Sequence, residues 1–158
     1  MASLNAEHIN PFLVAAKRVL QEACFLEVNI QKPMLKETDF NASDWVIIVG
    51  LTGEMRGQVL LYMTQENACT IASKMCMMEI TEINELAASA LSELGNMIMG
   101  NAATVFSSNG VGIDITPPKL EHGQGHAKKS TKNLCIPMEF KTGGGIEMFL
   151  AIHQQAAG

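Results

Sequence analysis

The sequence predicts an α+β fold, with about three helices, two of them long, packed on a largely antiparallel sheet of six or so strands. Three observations predict it. Two long windows, one from Phe12 and one ending near Ser107 and Ser108, repeat their apolar residues every third or fourth position, the period of a half-buried helix. The apolar β-type runs come in pairs joined by short glycine-bearing turns, the mark of hairpins. Strands do not alternate regularly with helices, so a parallel βαβ sheet is not expected.

In chain order, the first helix carries Phe12, Leu13, Ala16, Val19, Leu20, Ala23 and Cys24 on one side, with Lys17, Arg18, Gln21 and Glu22 on the other. Its start is expected at Asn10-Pro11, where a missing N–H costs little, with Asn5 as an alternative cap. Phe25 to Gln31 alternates as a half-buried strand, and Met34 to Lys36 can add a short edge strand. Trp45 to Leu51 is β-branched and apolar on both faces, as a central strand should be. Thr52 to Gly57 supplies a turn and Gln58 to Met63 the return strand. Thr64 caps a second helix running to about Met77, and Thr81 or Asn84 caps the long third helix. Val111 to Thr116 is a short strand stopped by Pro117-Pro118. Glu121 to Lys132 has hardly any apolar residue and reads as a flexible loop. Leu134 to Phe140 and Ile146 to His153 form a closing hairpin around Gly143-Gly144-Gly145, followed by a frayed tail from about 154 to 158.

With 158 residues, residues 1–158 are expected to form one domain large enough for a substantial core. The net charge of −5 argues against nucleic acid and anionic membranes as partners. No apolar run is long enough for a membrane span, and the N-terminus lacks a secretory pattern, so a cytoplasmic location is expected. The four cysteines form no CxxC pair and read as free thiols among apolar neighbours.

Familiar catalytic signatures are absent: no P-loop, no G-x-S-x-G elbow, no H-E-x-x-H. His122-Gly-Gln-Gly-His126 could be imagined as a metal clip, but two imidazoles in a glycine-rich loop lack further ligands, so a solvated loop is the expectation. The remaining candidate is one edge of the third helix. Ser89, Glu93, Asn96 and Gly100 are spaced 4, 3, 4, and the edge extends backward to Glu85 and Glu82. Ala87, Ala90, Leu91, Leu94, Ile98 and Val105 form the opposite, core-facing side. Asn is a mediocre helix former, and Gly95 and Gly100 each cost about 1 kcal/mol relative to Ala inside a helix. Gly100 leaves room for another backbone to approach.

Ser89-x3-Glu93-x2-Asn96-x3-Gly100 resembles the signature of the CheC/CheX/FliY phosphatases of bacterial chemotaxis. Glu93-Leu-Gly-Asn96-Met followed by Asp114-Ile-Thr-Pro-Pro118 resembles the CheX branch, and the likeness extends over most of the chain. The resemblance implies a CheC/CheX-like fold and a phosphatase for a phosphorylated response regulator of the CheY type. It implies Glu93 as the carboxylate that docks on the regulator's active-site lysine and Asn96 as the amide that orients the attacking water. It implies no cofactor on this chain, the Mg²⁺ belonging to the regulator, and a homodimer that exchanges the strand after Pro117-Pro118. Ser89, Gly100, Glu82 and Glu85 are expected to contact the partner. A different class of function, a binding module that retains the fold without turnover, is the alternative. Ser3-x3-Glu7-x2-Asn10 repeats the start of the signature, but Pro11 follows at once and Val14 replaces the glycine, so a second working site is not expected.

Overall fold

A computed structural model describes residues 5–38, 40–123 and 132–154, without the side chains of 153 and 154. The elements run α1 (Ala6–Cys24), β1 (Val28–Ile30), β2 (Met34–Glu37), β3 (Trp45–Gly53), β4 (Met55–Met63), α2 (Gln65–Cys76), α3 (Glu85–Ser108), β5 (Ile113–Ile115), β6 (Lys119–His122), β7 (Lys132–Phe140) and β8 (Gly145–Gln154). All strand pairs are antiparallel, in the order β1-β7-β8-β4-β3-β5. Both edges are interrupted: β2 continues β1 along β7, and β6 continues β5 along β3. Pro137 sits opposite the gap between β1 and β2, where its carbonyl accepts from the Gln31 N–H at 2.9 Å and its missing N–H breaks no ladder.

The central-strand reading of Val46–Val49 holds in detail. Ile47 and Val49 join the large core between sheet and helices, while Val46 and Ile48 join a smaller cluster on the opposite face. That second face is closed by Phe40, whose ring stacks on Tyr62 at 4.6 Å. The Tyr62 hydroxyl donates to Asp44 and the Gln65 N–H to the same carboxylate, tying the covering segment to β4 and α2.

Several boundaries differ from expectation. Helix α1 begins at Ala6, at the alternative cap Asn5 and not at Asn10-Pro11: the Asn5 side chain accepts from the N–H groups of Glu7 and His8, and His8 Nδ1 accepts back from the Asn5 N–H. This capping box starts the helix early enough that Pro11 lies inside it, buried, at the loss of one intrahelical bond. Strand β1 is shorter than expected because Phe25 takes the left-handed conformation that closes α1. The turn after β3 contracts to Glu54, and Gly57 lies within β4 at φ 142, where a Cβ would meet the Ala151 carbonyl oxygen at 2.0 Å.

The sheet has eight strands among the described residues, because Lys119–His122 is a strand paired from Trp45↔His122 to Ile48↔Lys119. Residues 121 and 122, expected as the start of a loop, therefore belong to β6, and Lys132 to β7. The polarity of residues 121 and 122 suits an edge strand with one exposed side, which carries no apolar signal. The rest of the expected loop, residues 124–131, and the tail from 155 lie outside the described residues. The strand after Pro117-Pro118 pairs here with β3 of its own chain.

Helix α3 seats directly on β3. A Cβ on Gly95 would lie 2.6 Å from Ile47 Cγ2 and 3.6 Å from Pro118 Cβ, so glycine sets how closely helix and sheet approach. Leu91, Leu94 and Ile98 are fully buried beneath the same stretch of helix.

Candidate functional site

Asn84 caps α3 by accepting the Ala87 N–H at 2.9 Å, and Glu85 in the first turn favours the helix dipole. From this start the helix presents Ser89, Glu93 and Asn96, all exposed, along one edge. The edge borders a groove of about 490 Å³ lined by Ala88, Ser89, Ser92, Glu93, Asn96 and Pro118. The groove thus lies between the helix and the Pro117-Pro118 link joining β5 to β6. The two sequence motifs meet in space, and Gly95 is what brings them together.

Three other polar side chains of α3 are spent on the helix's own carbonyls. The Asn101 amide donates to the Met97 carbonyl at 2.8 Å, Thr104 to Gly100 at 3.1 Å and Ser108 to Thr104 at 3.1 Å. Glu93 and Asn96 make no hydrogen bond or ion pair among the described residues. A carboxylate and a carboxamide three residues apart, about 4.5 Å along the axis, are therefore held by a rigid helix with their tips unspent.

The six residues singled out from sequence do not all share this groove. Ser89, Glu93 and Asn96 line it; Gly100, one turn beyond Asn96, does not, and a Cβ there would meet nothing within 4 Å. Glu85 is in the first turn, exposed but away from the lining. Glu82 is not on the helix: it precedes the Asn84 cap, and its charge acts on Cys69 of α2. Extending the stripe backward at helical spacing passed beyond the helix start. Ala88, Ser92 and Pro118 are lining residues that the 4-3-4 spacing missed. Ser92, four residues before Asn96, was within reach of the same spacing argument.

Competing chemistries find little support elsewhere. His122 is on β6, with its ring 3.9 Å from that of Trp45, while His126 lies outside the described residues. Among the described residues no group of three His, Cys, Asp or Glu is arranged to hold a metal. Burial pushes the Cys24 and Cys135 thiols up to about 12, so neither is a ready thiolate nucleophile near neutral pH. A second hollow, between Thr64, Asn67 and the β7–β8 turn, has two of its polar side chains committed to structural contacts. The Asn67 amide donates to the Gly145 carbonyl at 2.9 Å, and Glu147 pairs with Lys36 at 2.7 Å. Glu7 and Asn10 are both exposed on α1, which runs through Pro11 instead of starting there; Ser3 lies outside the described residues.

The site is thus an acid–amide pair, unpaired among the described residues, on a helix edge beside a Pro-Pro link, carried by three helices on an open antiparallel sheet. The family model described as chemotaxis phosphatase CheX matches residues 45–139. The chain belongs to the CheX family. It is similar to the CheY-P phosphatase CheX of Thermotoga maritima, with 29% identity over 122 residues, 77% of this chain and 79% of that protein. It is similar to a chain in the crystal structure of the CheX–CheY–BeF3–Mg²⁺ complex from Borrelia burgdorferi, with 33% identity, a TM-score of 0.77, and coverage of 92% of this chain and 97% of that one. The fold also matches chemotaxis protein CheX of Vibrio vulnificus, with TM-score 0.80 and 24% identity over 94% of this chain and 100% of that one. Among the described residues no helix is long and apolar enough to cross a membrane.

Proposed function

We propose that this chain is a phosphatase that accelerates hydrolysis of the aspartyl phosphate on a phosphorylated, CheY-like response regulator. The observation that carries this reading is the pair Glu93 and Asn96, rigidly spaced, exposed and without partners among the described residues, beside the groove. Phosphoryl transfer asks for positioning and charge stabilisation more than for covalent chemistry by the protein. A carboxamide suits that task, since it can donate to one oxygen and accept from a water at once and does not titrate. In this proposal Glu93 pairs with a lysine beside the phosphoaspartate and fixes the approach, and Asn96 then aims water in line at phosphorus. Water's oxygen forms the new P–O bond, the P–O bond to the aspartyl oxygen breaks, and the products are the free carboxylate and inorganic phosphate. The name of the Thermotoga relative and the CheY complex of the Borrelia one support the choice of substrate. The Mg²⁺ is assigned to the regulator, and the protein to the cytoplasm as a homodimer, with the strand after Pro117-Pro118 exchanged between copies.

The test is phosphate release from a panel of phosphorylated response regulators of the same cell, with this protein substoichiometric. Many phosphates released per chain are expected. Stoichiometric binding without turnover would instead leave a binding module.

Gly100 gives a second prediction, with opposite signs in two assays. A methyl there meets nothing within 4 Å among the described residues, and alanine is favoured in a helix interior by about 1 kcal/mol. Gly100→Ala should therefore raise the melting temperature by about 2–4 °C. If Gly100 permits close approach of the regulator, the same variant should lower kcat/KM. Thermal melting and phosphate release measured on one preparation check both signs.

A further inference from the structure

Leu86 stands in the first turn of α3, half exposed at 50%, and belongs to none of the described hydrophobic clusters. Its neighbour Ala87 is fully buried, so the turn is firmly seated while the leucine points away from the core. A single exposed leucine is ordinary. Its register is what distinguishes this one. Leu86, Ser89, Glu93, Asn96 and Gly100 follow a 3-4-3-4 spacing on one helix, a continuous stripe in which the acid–amide pair lies at the middle. Leu86 is two turns before Glu93, about 10 Å along the axis, and Gly100 is two turns after it. The stripe therefore has an apolar end, a polar centre and an open end where a Cβ would meet nothing. Glu85, exposed, precedes Leu86 in the same first turn, and Glu82, also exposed, lies two residues before the Asn84 cap.

We propose that Leu86 is a docking anchor for the response regulator. Its isobutyl group enters an apolar depression on the regulator about 10 Å from the phosphoaspartate, with basic groups at the rim facing Glu82 and Glu85. The proposal rests on the phosphatase reading and names a contact that reading does not contain. Three features favour this occupant over a second copy of the chain: the continuity of the stripe with Glu93 and Asn96, the acidic flank, and the clearance at Gly100. A partner lying along Glu93 and Asn96 with its long dimension on the helix covers Leu86 without bending. Anchoring at that end would also fix rotation about the Glu93 contact, which a single ion pair leaves free.

The experiment uses the full chain and a CheY-like regulator of the same cell, phosphorylated with acetyl phosphate for turnover and held with beryllium fluoride and Mg²⁺ for calorimetric binding. Leu86→Ser should raise KM and Kd about tenfold while kcat stays within twofold, and Leu86→Met should restore both constants to within threefold. Val14→Ser, which removes an exposed apolar side chain from α1, should change neither. Unchanged KM and Kd in Leu86→Ser overturn the proposal, as does a fall in kcat alone. A loss of self-association by Leu86→Ser in sedimentation, with regulator binding intact, overturns it in favour of a contact between copies. If the unaltered protein binds the regulator but does not turn over, the phosphatase reading fails alone and Leu86 is still judged by Kd. If it binds no regulator, both fail.

Discussion

Asn96→Ala is expected to lower the rate of regulator dephosphorylation at saturation by about a hundredfold while leaving affinity within about twofold. About 2.7 kcal/mol of transition-state stabilisation corresponds to two decades, the amount that a well-aimed hydrogen-bond donor or acceptor commonly supplies. The structure argues that this loss reflects chemistry and not folding. Asn96 is exposed and makes no hydrogen bond among the described residues, and alanine is the better helix former at the position. Stability should therefore hold or rise slightly, as thermal melting would show. Asn96→Asp is the sharper variant. It keeps the shape but replaces the donor by a negative charge facing a phosphoryl group, so it should be at least as slow as alanine. Full activity in either variant would falsify the assignment of Asn96.

Glu93→Lys should weaken binding of the phosphorylated regulator by two to three decades and lower kcat/KM with it. Truncating one member of a buried interfacial charge pair costs about 2–5 kcal/mol, and reversal adds repulsion between two ammonium groups. Glu93→Ala should fall between the reversal variant and the unaltered protein. Glu93 has no ion-pair partner among the described residues, so neither change removes a described salt bridge and melting should stay nearly constant. The readouts separate the two roles: Glu93 variants lose affinity as well as rate, whereas Asn96→Ala loses rate alone. Binding isotherms on the beryllium fluoride-activated regulator, collected beside steady-state phosphate release, make that comparison. Affinity unchanged in Glu93→Lys would remove Glu93 from the interface.

Much of this arrangement is legible in the sequence. The periodicity of 85–108 made a helix with a buried back, and the 4-3-4 edge located Ser89, Glu93 and Asn96, because helical spacing alone decides which side chains share a face. The apolar run Val46–Val49 located a strand buried on both sides for the same reason. Thr64 was readable as a cap, and Asn84 as one of two alternatives with Thr81, since capping is local chemistry.

What the sequence left open depended on contacts between distant segments. Nothing local in Lys119–His122 announces a strand; β3 makes it one by offering an unpaired edge. Glu82 fell off the stripe because the helix start is set by the Asn84 cap, and spacing does not report where a helix begins. Pro11 looked like a start and is an interior residue, because the Asn5–His8 capping box nucleates the helix one turn earlier. Gly95 looked like a costly residue in a helix. Only its 2.6 Å approach to Ile47 shows that the missing Cβ sets the distance between α3 and β3. That distance places the Pro118 ring beside Glu93 and Asn96 and makes the groove. The sequence by itself determined which side chains stand on the edge of α3, because one helix turn is local geometry. The tertiary structure decided that the edge faces a groove, because that depends on how closely a helix packs against a strand nearly fifty residues away.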